Sequence, residues 1–217
     1  RGLGDVYKRQ ILGTLTLTST LYAMSMTIAN IALPQLQGAL GATQDQIAWT
    51  VTFNIIGTAI VTPMTGWLTL RFGQRRLMLC SIFGFATSSI LCGQANALPE
   101  LVIYRVFQGA FGGPLVPLSQ AIILGVFPRR LHSFATAVWG MGVVCGPIIG
   151  PTVGGYISEA YSWRWVFYII APFSLLAFLG AWFYVRNTTH NKLSKLDWTG
   201  FILSLIHISE PTRQSLI

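Results

Sequence analysis

Residues Gly142–Gly155 read G-V-V-C-G-P-I-I-G-P-T-V-G-G. Gly142, Gly146, Gly150 and Gly154 recur every four residues, so on an α-helix they form a nearly flat ridge. Such a ridge lets a second helix pack at backbone contact, the device that joins helices in lipid. Pro147 and Pro151 repeat at the same spacing and are expected to bend the helix. Gly155 extends the pattern. A single G-x-x-x-G pair is common and means only helix packing. Four glycines interleaved with two prolines are much rarer, and they point to an interface that also bends.

Working outward, this ridge lies within one of six apolar stretches. They run approximately Ile11–Leu33, Ile47–Leu70, Leu77–Ala97, Leu101–Phe127, Phe134–Ile157 and Trp165–Val185. Each is about the 20 residues that a membrane-crossing helix needs. A seventh is expected to start at Trp198. The bulk numbers agree: 53% of the 217 residues are hydrophobic and 9% charged, against about 25% charged in soluble domains. The mean hydropathy is +0.59. A chain this apolar cannot cover itself with polar groups, so it is read as an all-α polytopic membrane protein solvated by a lipid bilayer. The net charge of +8 does not indicate nucleic acid, because the basic residues are scattered through short loops and form no basic face. Cys80, Cys92 and Cys145 lie in apolar runs and read as buried structural thiols, with no metal-ligand spacing and no metal expected.

The loops alternate in charge. Arg71, Arg75 and Arg76 follow the second stretch, Arg129 and Arg130 the fourth, and Arg186, Lys192 and Lys195 the sixth, eight in all. The opposite side holds Asp45, Glu100 and Glu159 with Arg164 alone. The positive-inside rule places the basic side, and with it the N-terminal end, in the cytoplasm of a multi-pass inner (cell) membrane protein. Basic turns at Arg71–Arg76 and Arg129–His132 give a weak echo of a three-helix repeat, a form typical of secondary transporters.

Both ends are expected to be foreign. Arg1–Gln10, RGLGDVYKRQ, can be encoded by CGT GGG CTC GGA GAT GTG TAT AAG AGA CAG. The reverse complement of that DNA encodes LSLIHISEPT, which is Leu203–Thr212. One stretch of DNA read from both strands accounts for both, and it resembles a transposase-library adapter. The expected organisation is an adapter-derived tail over 1–10, a six-helix bundle over 11–197, the start of a seventh helix over 198–202 and a second tail over 203–217.

Three further segments carry chemistry. From Gly66 the chain reads G-W-L-T-L-R-F-G-Q-R-R. Gly66 allows close helix approach, Gly73 a tight turn, and Arg71, Arg75 and Arg76 can bond helix C-terminal carbonyls or lipid phosphate. In R-V-F-Q-G-A-F-G-G-P, Arg105 lies about one turn inside an apolar segment, where an Arg costs about 2.5–3.5 kcal/mol on insertion scales. It either snorkels to the outer interface or is a buried charge near a transport path, with Gln108 on a similar face. Asn30, Asn54, Gln108 and Gln120 are amides at membrane depth, each an interhelical bond or a substrate ligand. Trp163 and Trp165 suit an outer aromatic belt, Arg164 a cap or anchor, and Trp139 drug stacking, lipid contact or core packing.

Together these segments resemble the major facilitator superfamily, in particular its EmrB/QacA-type fourteen-helix drug:proton antiporters. The resemblance rests on the Gly66–Arg76 loop, on L-x-x-x-R-x-x-Q-G from Leu101 to Gly109, on the Gly142–Gly155 ridge, on T-I-A-N-I-A-L-P (Thr27–Pro34) and on Y-S-W-R-W-V-F (Tyr161–Phe167), with T-G-W-L from Thr65 and P-L-S-Q from Pro117. It implies an N-terminal six-helix bundle, a leak-tight bendable hinge at the ridge, and export of hydrophobic drugs in exchange for protons, without a cofactor. It also leaves room for a periplasmic adaptor protein as partner. The sequence departs from the pattern at Leu70, Ser25 and Ile170. Relatives often carry Asp at the first two positions and Asn at the third, so no coupling acid is assigned within these spans. The other readings are an exporter of an endogenous metabolite or siderophore, and a non-transporting sensor or structural protein. An enzyme is disfavoured: His132 and His190 lie in loops, no acid lies in a span, and no phosphate-binding P-loop occurs.

Overall fold

The computed structural model of the chain describes residues 2–185. The expected seventh helix, both basic residues Lys192 and Lys195, Arg186, His190 and the 203–217 tail lie outside the described residues. Among those described, six helical spans are long and apolar enough to cross a membrane: Val6–Ile31, Gln44–Phe72, Gln74–Gln94, Leu98–Val126, Arg129–Ala160 and Trp163–Tyr184.

The helices are α1 (Gly2–Ile31), α2 (Leu33–Leu40), α3 (Gln44–Phe72), α4 (Gln74–Gln94), α5 (Leu98–Gly112), α6 (Leu115–Val126), α7 (His132–Ala160), α8 (Trp163–Tyr168) and α9 (Ile170–Tyr184), with a 3₁₀ turn at Arg129–Leu131 before α7. α1 runs unbroken through residues 2–10, the stretch read above as foreign.

Two spans, the fourth and the sixth, differ from the uninterrupted stretches expected, each near a proline. The first ends at Ile31, close to the expected Leu33, and a short α2 follows Ala32, where Pro34 has no N–H to give the carbonyl four residues back. The fourth divides into α5 and α6 around Gly113 and Pro114, both still in the right-handed helical region. The sixth divides into α8 and α9 at Ile169, where Pro172 withholds the bond to Tyr168. Other boundaries follow local chemistry. Thr43 and Gln46 form a reciprocal capping box that starts α3. Gly73, at φ +86°, makes the sharp turn between α3 and α4 that the sequence predicts.

α1 packs along α7, α3 along α5, and α4 against α5 and α9. Numbering the spans one to six, the closest pairs are first with fifth and second with fourth. These pairs exchange when spans one to three are mapped onto four to six, which is the symmetry of a three-helix repeat. The glycine ridge of α7 faces α1. A Cβ at Gly146 would lie 2.6 Å from the carbonyl oxygen of Thr20 and 3.0 Å from the Met24 nitrogen. At Gly150 it would meet Thr27 Oγ1 at 2.5 Å, and at Gly142 and Gly154 it would run into Thr16 and Ile28. Gly155 lies off this line, its nearest neighbour Ile31 at 3.8 Å. Pro147 and Pro151 sit within a helix assigned continuously from His132 to Ala160.

Other expectations are corrected. Gly66 is exposed and a Cβ there would meet nothing within 4 Å, so it makes no close helix approach among the described residues. Cys80 and Cys145 are exposed and only Cys92 is buried, because the first two lie on faces that look away from the bundle. Trp163 is buried against Phe167 and only Trp165 faces outward, which halves the aromatic belt. Trp139 belongs to the core, its indole N–H donating to Ser19 Oγ at 3.1 Å.

The ridge makes a direct prediction. Gly146→Leu is expected to destabilise the bundle by about 1–3 kcal/mol or more, the usual range for overpacking, since the clash is with backbone. Gly140→Ala on the same helix, where a Cβ meets nothing within 4 Å, is expected to leave thermal unfolding in detergent unchanged. Equal midpoints for the two variants would remove the ridge from the packing account.

Candidate functional site: a buried polar network around Arg105

The α3–α5 interface is built for backbone contact. A Cβ at Gly57 would strike the carbonyl of Val106, and one at Gly109 the carbonyl of Asn54. Along this seam three side chains of α3, spaced four apart, bond three carbonyls of the fourth span, also spaced four apart. Asn54 Nδ2 donates to Arg105 O at 2.8 Å, while Thr58 and Thr62 each share one hydroxyl proton between a carbonyl of their own preceding turn (Asn54 O at 3.1 Å, Thr58 O at 2.7 Å) and one of the fourth span (Gly109 O at 3.2 Å, Gly113 O at 3.4 Å). The last rung reaches a carbonyl whose helical donor is missing, because residue 117 is proline. Interhelical bonds of this kind average about 0.6 kcal/mol in membranes, so the ladder, two of whose protons are shared, contributes on the order of 1 kcal/mol and mainly sets register.

Arg105 sits at the head of the ladder, 2% exposed. Its Nε donates to Thr50 O at 3.3 Å and its Nη1 to Gln108 Oε1 at 2.6 Å. Gln108 Nε2 donates to Ser89 Oγ of α4 at 2.8 Å, and Ser89 donates in turn to Phe85 O at 2.8 Å. The guanidinium also lies over the Phe167 ring of α8, 5.7 Å from its centroid. Snorkelling is thereby excluded: the cation is held inside the bundle by four elements. Hydrogen bonds to charged groups contribute about 1.5–3 kcal/mol each, so the two shown offset the insertion cost of about 2.5–3.5 kcal/mol. No acid of the described spans faces it. Tyr22 of α1 borders the network, its hydroxyl 3.0 Å from Thr58 Oγ1. Ser25, standing where an acid was expected by resemblance, is buried and donates to Tyr22 O at 2.7 Å.

Of the five amide and arginine candidates, the fold therefore unites Arg105, Gln108 and Asn54. Asn54 Oδ1 is buried with no partner among the described residues. Asn30 and Gln120 stand apart, exposed on α1 and α6. Thr50, Thr58, Tyr22, Ser89 and Phe167 were not singled out from sequence. The four-residue spacing of Asn54, Thr58 and Thr62 beside Gly57 was the available signal.

At the end of the bundle that carries the α3–α4 turn, Arg75 Nη2 donates to Trp182 O at 2.7 Å in the last turn of α9, and the guanidinium lies 5.4 Å from the Trp182 ring centroid. This is the carbonyl capping expected of the loop. Arg71 lies over Trp67 at 5.5 Å, and Arg76 is at the start of α4. At the other end Arg164 caps α4: Nη1 reaches Gly93 O and Ala95 O, each at 2.9 Å, and Nη2 reaches Asn96 Oδ1 at 3.3 Å. His132 bonds Phe127 O through its ring Nε2 at 2.8 Å.

Known proteins share both the sequence and the fold. The sequence pattern of the Major Facilitator Superfamily matches residues 15–215. The chain is 44% identical over 168 residues to the multidrug export protein EmrB of Haemophilus influenzae, covering 77% of this chain and 33% of that protein. It is 35% identical over 189 residues to the fatty acid resistance protein FarB of Neisseria gonorrhoeae, covering 85% and 37%. Among solved structures, the E. coli xylose transporter XylE in a partially occluded inward-open conformation superposes with a TM-score of 0.76 at 19% identity, over 83% of this chain and 50% of that one. A bacterial homologue of the lysosomal transporter Spinster gives 0.72 at 19% identity, over 88% and 46%. At such identities the structural likeness shows the fold alone. The chain spans about a third of the length of these curated relatives. The match over residues 15–215 shows that the chain belongs to the Major Facilitator Superfamily.

Proposed function

We propose that this chain supplies one six-helix wall of a proton-coupled exporter of hydrophobic compounds in the inner membrane, its N-terminal end in the cytoplasm. The observation that carries the reading is Arg105, a cation buried in the bundle by neutral partners on α3, α5 and α8. A charge held at membrane depth with no local counter-charge is retained for work. Here its work is electrostatic: it biases the protonation of an acid, or the binding of a substrate, that approaches from the facing half of the transporter. Alternating access would rock this bundle against a second one about that midplane site.

The substrate class follows from the surfaces. α3 and α7 carry many exposed apolar side chains, among them Trp49, Ile56, Ile60, Met141 and Ile148. Asn30 and Gln120 are exposed amides within the spans and make no hydrogen bond among the described residues. A cavity of apolar walls with few polar groups suits varied hydrophobic substrates. The names of relatives, which speak of multidrug export and fatty acid resistance, support the same class. The basic loops Arg71–Arg76 and Arg129–Arg130 support the orientation. A periplasmic adaptor protein is a partner of this reading, to be sought by co-purification.

Arg105→Ala in the full-length exporter is expected to lower drug resistance at least about tenfold, equivalent to ~1.4 kcal/mol in rate, while membrane insertion persists. Arg105→Lys is expected to restore only part of it, since an ammonium cannot make the forked contacts of guanidinium. Growth in graded drug, with immunoblotting of membranes, measures both. Full resistance in Arg105→Ala would take the cation out of the mechanism.

A further inference from the structure

The bond chain leaving Arg105 has a defined direction. A guanidinium only donates, so the Gln108 oxygen must face it, and the Gln108 amide nitrogen must then face Ser89. Ser89 Oγ accepts that proton while giving its own to Phe85 O. A carboxamide can turn over and exchange its oxygen and nitrogen. Here Ser89 Oγ, an acceptor whose proton is already committed to a helix carbonyl, holds it one way round. Ser89 is fully buried on α4, and nothing else described accepts from Gln108 Nε2.

We propose that Ser89 is a positioning residue for transport, acting through Gln108 to hold the Arg105 guanidinium in place and orientation. The inference rests on the exporter reading above, in which the Arg105 charge sets the field at the coupling site. The groups whose electrostatics reach Arg105 are Cys92 of α4 and Tyr22 of α1. Both are neutral at pH 7 in their ordinary state, so neither anchors the cation. The contacts from α3, α5 and α8 are the Thr50 carbonyl, Gln108 and the Phe167 ring. With Ser89 absent, the amide nitrogen of Gln108 has no acceptor. The Gln108 side chain is then held at its oxygen end alone and can swing toward another acceptor, taking from Nη1 the oxygen that holds it. A displaced cation changes the protonation of the acid it faces, so the pH dependence of exchange moves. Loosened helix packing lowers protein yield and rate at every pH without moving that dependence.

The test uses the full-length exporter in lipid nanodiscs and proteoliposomes. The Arg105 side-chain resonance is identified in ¹⁵N-arginine protein by its loss in Arg105→Lys. Ser89→Ala and Gln108→Met are each expected to move it, and the double variant is expected to match Gln108→Met alone, since both act on one chain of bonds. In proteoliposomes, Ser89→Ala is expected to shift the pH of half-maximal ethidium–proton exchange by about half a unit. A resonance that stays in place in Ser89→Ala overturns the proposal, whatever the exchange data. A resonance that moves in an exporter whose pH profile does not change overturns the role in transport. If the unmodified exporter carries no proton-coupled exchange, the exporter reading fails separately, and the resonance still decides whether Ser89 positions Arg105.

Discussion

Helices in lipid gain nothing from hiding apolar side chains from water, because the hydrocarbon around them is equally apolar. What joins them is close fit. In this bundle the fit is backbone to backbone at two seams. Gly146 brings α7 against the Thr20 carbonyl of α1, and Gly57 and Gly109 bring α3 against the fourth span. Each seam tolerates no Cβ at its centre. The remaining features of the bundle depend on this spacing, since short polar side chains bridge two helices only when their backbones almost touch.

The polar ladder shows that dependence. Thr58 and Thr62 have side chains too short to cross an ordinary helix interface, yet both reach carbonyls of the fourth span. With Asn54 they set the register of α3 against α5. That register in turn brings the Thr50 carbonyl to Arg105 Nε. On the other side α4 supplies Ser89, and the short helix α8 supplies the Phe167 ring. A cation that would not otherwise persist at this depth is thus stabilised by neutral dipoles and a ring face, none of which removes its charge. The ends of the bundle are closed by a related device. Arg75 and Arg164 each place a guanidinium on carbonyls near the end of a neighbouring helix, which is favourable for charge at that position.

The sequence made some of this legible. The six spans were readable from length and hydropathy, the α7 ridge from its four-residue period, and the Gly73 turn and arginine caps from local chemistry. Proline breaks at Gly113 and Ile169 were missed because hydropathy is blind to which carbonyls lose a donor. Cys80, Cys145 and Gly66 were misplaced for a different reason. In a membrane protein both the core and the lipid face are apolar, so an apolar neighbourhood does not tell which way a residue points. Ser89 and Thr58 passed unnoticed because hydroxyls in membrane helices usually donate to their own preceding turn, as both do here, and only the fold shows what else meets their oxygens.

By itself the sequence determined that residues 11–185 hold six membrane-spanning helical stretches, which loops are basic, and where one helix can be approached at backbone contact. These are properties of single segments, written in composition and in a period along one helix. Only the tertiary structure decided that Arg105 is enclosed, that Asn54 and Gln108 join it while Asn30 and Gln120 do not, and that Ser89 completes its bonds. Those facts depend on which faces of α3, α4, the fourth span and α8 meet. That choice is made by the helix pairing at the two glycine seams, between residues far apart in the chain, 120 positions in the Trp139–Ser19 bond.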